Sequence, residues 1–229
     1  MSSSIPDDVA VVLGRGQKFW DRADAGRRLA RALIGFADTQ PLVLALPRGG
    51  VPVAFEVAKV LHAPLDVLLV RKIRAPGHPE YGIGAVVDGA DPLFVLNEEA
   101  MNTVRPTQQY VEAEKRRQLE VIENRRKLYF GDRPAIPVDG RTVIVIDDGI
   151  ATGGTVRVAL KALRRNGATR IVLAVPVAHP ESLRRVAKDA DETICLATPD
   201  PFVAVGKHYE TFDQTSDEDV IGLLREGEA

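Results

Sequence analysis

Short apolar runs recur along the chain, with longer stretches between them in which apolar positions return at helical spacing. Pro41–Leu46 (PLVLAL), Leu65–Val70 (LDVLLV), Thr142–Ile146 (TVIVI) and Ile171–Val175 (IVLAV) are short, β-branched and nearly continuous. Strands covered on both faces have this character, because neither side can face water. Thr193–Leu196 is a weaker fifth candidate. Between the runs lie expected helices at Ala23–Phe36, Val51–Leu61, Gly154–Arg165 and Glu181–Asp189. Alternation of strand and helix predicts an α/β protein: a parallel β-sheet flanked by helices.

Two segments break the alternation. Arg71–Asp88 is punctuated by Pro76, Gly77, Pro79, Gly82 and Gly84 and reads as a long loop or ribbon. Thr107–Phe130 is a strongly charged helix with a narrow apolar stripe of Val111, Leu119 and Ile122, expected to lie solvated over the sheet. No repeat, low-complexity tract or clear linker divides the 229 residues, so a single domain is expected.

Composition changes this picture little. Hydrophobic residues make up 45% and charged residues 27%, as in ordinary globular chains. The formal net charge of −2 provides no bulk attraction to nucleic acid or membrane, and neither is expected as a partner. No apolar run approaches the ~20 residues of a membrane helix. The N-terminal MSSSIPDDVA lacks the basic and apolar regions of an export signal, and the lone Cys195 permits no internal disulfide. A cytoplasmic setting is the expectation.

The chemistry concentrates in Val143–Thr155, VIVIDDGIATGGT. A buried strand ends in two acids, Asp147 and Asp148, followed by a glycine- and threonine-rich turn and then a helix. Open parallel sheets bind ligands beyond the carboxyl ends of their strands. A helix N-terminus there presents backbone N–H groups and a favourable dipole to a phosphate. Gly153 and Gly154 allow close approach, and Thr152 and Thr155 add hydroxyl donors. Two acids beside a phosphate repel it unless something intervenes. A sugar diol does so by donating to the carboxylates, and magnesium nearby offsets the charge further. The spacing therefore points to acids for a ribose and a loop for its 5′-phosphate. Gly149 and Gly154 have P-loop spacing, but Thr155 stands where that motif requires lysine.

VIVIDDGIATGGT resembles the 5-phosphoribosyl 1-pyrophosphate signature of type I phosphoribosyltransferases. The resemblance implies that Asp147 and Asp148 hold the ribose hydroxyls and that Ala151, Thr152, Gly153, Gly154 and Thr155 bind the 5′-phosphate. LALPRGGVPVA (Leu44–Ala54) is similar to the family's first strand and pyrophosphate loop, which implies that role for Arg48, Gly49 and Gly50. VRKIRAPGHPEYGIGAVVDG (Val70–Gly89) resembles the mobile loop that closes over substrate, which makes Lys72, then Arg71, the candidate catalytic cations together with Arg48. FWDRADAGRRLA (Phe19–Ala30) and PFVAVGKHYETFDQ (Pro201–Gln214) resemble a bacterial subgroup of the family.

In the family a hood over the acceptor base is built from terminal segments. Here the core would span about 19–196 and a small C-terminal hood subdomain about 197–229, with Phe202, Val203, Val205 and Tyr209 as its acceptor-facing surface. The implied activity is magnesium-dependent displacement of pyrophosphate by a nitrogenous, nucleobase-like acceptor. Magnesium would be held by the ligand, with no direct protein ligand and with Asp147 and Asp148 reaching it through water. A homodimer is common in the fold. One departure narrows the acceptor: hypoxanthine–guanine enzymes carry an aspartate where this chain has Ala151, which disfavours their handling of a 6-oxopurine. The other class of function open to this fold is a regulator that binds the same ligand without turnover.

Overall fold

The computed structural model describes residues 9–11, 18–89 and 92–227. Residues 1–8, most of the segment read as lacking an export signal, lie outside them. The described strands are β1 (Val9–Val11), β2 (Leu42–Ala45), β3 (Leu65–Val67), β4 (Val70–Ala75), β5 (His78–Val87), β6 (Leu93–Leu96), β7 (Thr142–Ile146), β8 (Arg170–Val177) and β9 (Glu192–Ala197). The described helices are α1 (Arg22–Ala32), α2 (Gly50–Leu61), α3 (Glu98–Val104), α4 (Gln108–Phe130), α5 (Gly154–Arg165), α6 (Pro180–Ala187) and α7 (Asp217–Glu226). The chain divides into two compact units. The second is Leu68–Pro137, and the first comprises the chain on either side of it.

The first unit is built on one sheet in the order β1-β9-β8-β7-β2-β3. All its pairings are parallel. Leu42, Val43, Ile144 and Ile146 are fully buried, as strands covered on both faces require. Each such side chain contributes ~1.5–3 kcal/mol relative to exposure. α5 shows how the flanking layer forms. Val156, Ala159, Leu160 and Leu163 recur at helical spacing and are buried, while Arg157, Lys161 and Arg164 take the opposite face. β7 and α5 have the bounds expected from sequence.

The connections place the site. From β2 the chain leaves through α2 to β3; from β7 it leaves through α5 to β8, on the other side. The loops after β2 and β7 therefore diverge from adjacent strands. This is the topological switch point at which open α/β sheets hold ligands.

Two expectations shift, and one strand is added. The apolar run Leu65–Val70 is not one strand: β3 ends at Val67, and Val70 starts β4 in the second unit. Leu68 and Leu69 are buried in the link, so hydrophobicity alone conceals the break. The helix from Ala23 stops at Ala32, and Ile34–Thr39 tightens into a 3-10 turn ended by Gln40 in the left-handed region. β1, too short to stand out in sequence, pairs with β9.

The second unit is the antiparallel sheet β4-β5-β6 with α3 and α4. Much of Arg71–Asp88 is thus a regular ribbon rather than a loop. Pro76 and Gly77 turn it, Gly77 at φ 72°, and register shifts flank Arg74. Ile73, Ala75, Ile83, Ala85, Val86 and Val87 are buried, which the glycines and prolines concealed. Gly84 is there because β6 lies close: a Cβ on it would meet the Val95 carbonyl at 2.6 Å. α4 is capped by Thr107, whose hydroxyl accepts from the Tyr110 amide. Its buried line runs through Val111, Glu114, Gln118, Ile122 and Tyr129. Leu119, expected in that line, is only half-buried, and the polar Gln118 takes its place. Among the described residues no helix is long and apolar enough to cross a membrane.

Candidate functional site

At the carboxyl end of β7 the chain leaves the sheet as Asp147-Asp148-Gly149-Ile150. Two backbone bonds pin this turn to the end of β8: Ile150 N–H donates to the Val177 carbonyl at 2.9 Å, and His179 N–H to the Ile150 carbonyl at 2.8 Å. Gly153 then takes φ 77° as the N-cap of α5, and no side chain caps that helix. Its first amides therefore have no intrahelical partner and face outward at the positive end of the dipole. Ala151, Thr152, Gly154 and Thr155 are exposed around them.

The loop after β2 lies against the acids. Leu46 N–H donates to the Ile146 carbonyl at 2.8 Å, and the Pro47–Arg48 peptide is cis. Position 49 must be glycine for this approach: a Cβ there would sit 2.0 Å from Asp148 Oδ2. A Cβ on Gly50 would meet the Ile146 carbonyl at 2.7 Å. The two motifs, about a hundred residues apart in sequence, are thus packed together. Arg48 itself points toward α7, with Nη1 4.0 Å from Asp217 Oδ1.

Each acid uses one oxygen for the scaffold. Asp147 Oδ1 accepts from the Asp148 amide at 2.9 Å. Asp148 Oδ2 accepts from Arg22 Nε at 2.8 Å. Asp147 Oδ2 and Asp148 Oδ1 have no hydrogen-bond partner among the described residues, which leaves one acceptor oxygen on each acid. Burial, with Asp148 adjacent, pushes the Asp147 carboxyl well above the usual carboxylate range. Burial raises Asp148 as well, while the Arg22 guanidinium pulls the other way.

Arg22 is a site residue that the motifs do not contain. It opens α1, which is capped by Asp21. Its segment resembles only a family subgroup, and nothing local in FWDRADAGRRLA points to an acid 126 positions away.

The C-terminal segment lies against the acid turn through Val205. Val205 packs on the acid turn, where a Cβ on Gly149 would meet its methyls at 2.6 and 3.0 Å. Phe202 stacks on His208 at 5.3 Å and meets His179 edge-on at 5.6 Å. His208 Nε2 is buried without a hydrogen-bond partner among the described residues, and burial together with Lys18 lowers the imidazole's pKa. Val203 is exposed. Tyr209 corrects the reading of an acceptor-facing surface: it is 4% exposed and packs on Phe19 and Phe212. Its hydroxyl donates to the Asp148 carbonyl at 2.6 Å. An aromatic at a segment's end reads alike in sequence whether it faces a ligand or anchors the segment.

Arg71 and Lys72 belong to the second unit. Lys72 is exposed on β4. Arg71 Nε donates to Gln118 Oε1 at 3.2 Å, and Gln118 Nε2 donates to Glu114 Oε1 at 2.7 Å. Partial burial and the nearby Arg125, Arg74 and Arg117 lower the Arg71 pKa. Cys195, inside β9, is pushed by burial up to about 12, as befits an inert core thiol.

With this geometry in view, the chain belongs to the phosphoribosyl transferase domain family, whose pattern residues 21–211 match. Its fold is that of TT1426 from Thermus thermophilus, to which it is 44% identical with a TM-score of 0.80, over 92% of this chain and 99% of that one. A Mycobacterium tuberculosis (strain H37Rv) protein, Rv0571c, whose name assigns it provisionally to the phosphoribosyl transferases, is 46% identical over 206 residues. That match takes in 90% of this chain and 46% of the relative, so the chain spans about half the length of the curated relatives it matches. A uracil phosphoribosyltransferase of Lacticaseibacillus paracasei is 38% identical over 73 residues, 31% of this chain and 34% of that one.

Proposed function

We propose that the protein binds 5-phosphoribosyl 1-pyrophosphate with magnesium and transfers its phosphoribosyl group to a small nitrogenous, nucleobase-like acceptor, releasing pyrophosphate. The observation that carries this is the pair of unpartnered oxygens, Asp147 Oδ2 and Asp148 Oδ1, beside the uncapped N-terminus of α5. A ribose with a 5′-phosphate has a matching set of groups: two adjacent hydroxyl donors and a dianion.

In the reaction the bond from ribose C1 to the leaving oxygen breaks as a bond from C1 to the acceptor nitrogen forms. The sugar becomes cation-like, and negative charge grows on pyrophosphate. Catalysis of this kind comes mostly from positioning and electrostatics. Asp147 and Asp148 would orient the ribose rather than attack it. Gly49 and Gly50 let the pyrophosphate loop approach, and Arg48 would supply charge to the leaving group. Arg71 and Lys72 keep the same proposed role on the resemblance of their segment. Phe202, Val203 and Val205 remain the proposed acceptor-side surface, with Tyr209 reassigned to anchoring it.

Two carboxylates beside a bound pyrophosphate form the hard-oxygen environment magnesium takes. The ion would sit on the ligand, with Asp147 and Asp148 reached through water. When bound it would neutralise charge on the leaving oxygens.

The test is pyrophosphate release measured across a panel of nucleobases and small amines with 5-phosphoribosyl 1-pyrophosphate and magnesium. Release with at least one acceptor is the expected result. Tight binding of the ligand with no release above background for any acceptor would overturn the transferase reading in favour of a ligand-binding regulator.

A further inference from the structure

The guanidinium of Arg22 is held on three sides. Nε donates to Asp148 Oδ2 at 2.8 Å, and Nη1 donates to the Asp213 carbonyl at 2.6 Å. The Phe212 ring lies 3.8 Å from its central carbon. Phe212 in turn packs on Tyr209 at 5.0 Å, and the Tyr209 hydroxyl donates to the backbone carbonyl of Asp148. A closed circuit therefore runs from Asp148 through Arg22, Phe212 and Tyr209 back to Asp148. Backbone bonds from Glu210 and Thr211 to the carbonyls of Phe19 and Trp20 reinforce it.

This circuit engages one oxygen of the Asp148 carboxylate and leaves the other. Oδ2 accepts from Arg22, and a Cβ on Gly49 would lie 2.0 Å from it. Oδ1 is the oxygen left over. The charged or titratable groups facing Asp148 are Asp147 on its own turn, Arg22 from α1 and the Tyr209 hydroxyl from the C-terminal segment. Among these, Arg22 is the cation whose field acts on both acids. Arginine suits this place better than lysine, because it offers a planar fork and a stacking face together.

We infer that Arg22 is a positioning residue: it fixes the Asp148 carboxylate so that Oδ1 meets the ribose, and it ties that orientation to the seating of residues 209–213. The inference rests on the ribose reading proposed above. It predicts a much larger loss for ligands that carry the ribose than for pyrophosphate alone.

The experiment is calorimetric titration of the wild type, Arg22→Gln and Arg22→Lys with 5-phosphoribosyl 1-pyrophosphate and with inorganic pyrophosphate, each with magnesium. Circular dichroism checks the fold. Arg22→Gln should weaken 5-phosphoribosyl 1-pyrophosphate about ten- to a hundredfold, the worth of one charge-assisted hydrogen bond. Pyrophosphate, which has no hydroxyls for the acids and meets them only through the magnesium's water, should lose far less. Arg22→Lys keeps the charge but not the fork and should fall between Arg22→Gln and the wild type. Equal binding of the ribose ligand by Arg22→Gln, a parallel loss of both ligands, or no recovery in Arg22→Lys would overturn the inference. If Arg22→Gln does not fold, Arg22→Lys decides alone: it must lose the ribose ligand selectively. A wild-type protein that binds pyrophosphate but not the ribose ligand overturns the ribose reading itself, and this inference with it.

Discussion

A methyl group at position 49 has nowhere to go unless Asp148 moves. Gly49 has φ −61° and ψ −31°, a conformation alanine adopts freely, so Gly49→Ala tests the contact and not the backbone. The added Cβ would lie 2.0 Å from Asp148 Oδ2 and 2.6 Å from its Cγ, where real contacts essentially never fall below 3.0 Å. The carboxylate must therefore retreat by about 1 Å, enough to break its 2.8 Å bond to Arg22. Hydrogen bonds to charged groups are worth ~1.5–3 kcal/mol. The affinity for 5-phosphoribosyl 1-pyrophosphate with magnesium should accordingly drop about ten- to a hundredfold in calorimetry. Overpacking typically costs ~1–3 kcal/mol of stability. The lower end applies here, because the crowded atoms end a side chain that is not part of the apolar core. Gly35→Ala is the control, since a Cβ there meets nothing within 4 Å. Wild-type affinity in Gly49→Ala would show that the loop after β2 and the acids do not form one site.

The raised Asp147 pKa sets a second prediction. The fold favours the neutral carboxyl, so its contribution to stability is fullest below the ordinary 3.8 and is lost as pH rises through the raised folded value. Asp147→Asn stays neutral and keeps the oxygen that accepts from the Asp148 amide. It should melt above the wild type at pH 7, the gap should close as pH falls toward 3.8, and ligand binding should weaken; equal melting at pH 7 would contradict the burial argument. Cys195 gives the alkaline counterpart. Its thiol is held neutral up to about 12 in the fold but ionises near its ordinary 9.0 when unfolded. Stability should therefore fall as pH rises from 9 toward 12, by up to ~1.4 kcal/mol per pH unit from this group. Melting curves of wild type and Cys195→Ala across that range should converge, and parallel curves would rule the thiol out.

How much was legible in the sequence depended on how far apart the interacting parts lie. β7 and α5 fall where Thr142–Ile146 and Gly154–Arg165 were expected, because their limits are local: an apolar run stops at two charges, and a glycine in the left-handed region starts a helix. The passage from Val67 to Val70 was illegible for the opposite reason. Leu68 and Leu69 are as apolar as the strands they join, and only pairing partners show that one sheet ends and another begins.

The candidate site divides the same way. Sequence alone determined its ingredients: two acids after a buried strand, a glycine- and threonine-rich turn before a helix, and a glycine pair at the end of another strand. Those are properties of neighbours along the chain. Tertiary structure alone decided that Gly49 touches Asp148, that Arg22 grips one oxygen of Asp148, and that Tyr209 is turned inward as an anchor. Such contacts join residues from about sixty to more than a hundred positions apart, and no local preference encodes them. They arise only when the sheet brings the ends of β2 and β7 side by side and the C-terminal segment closes against them.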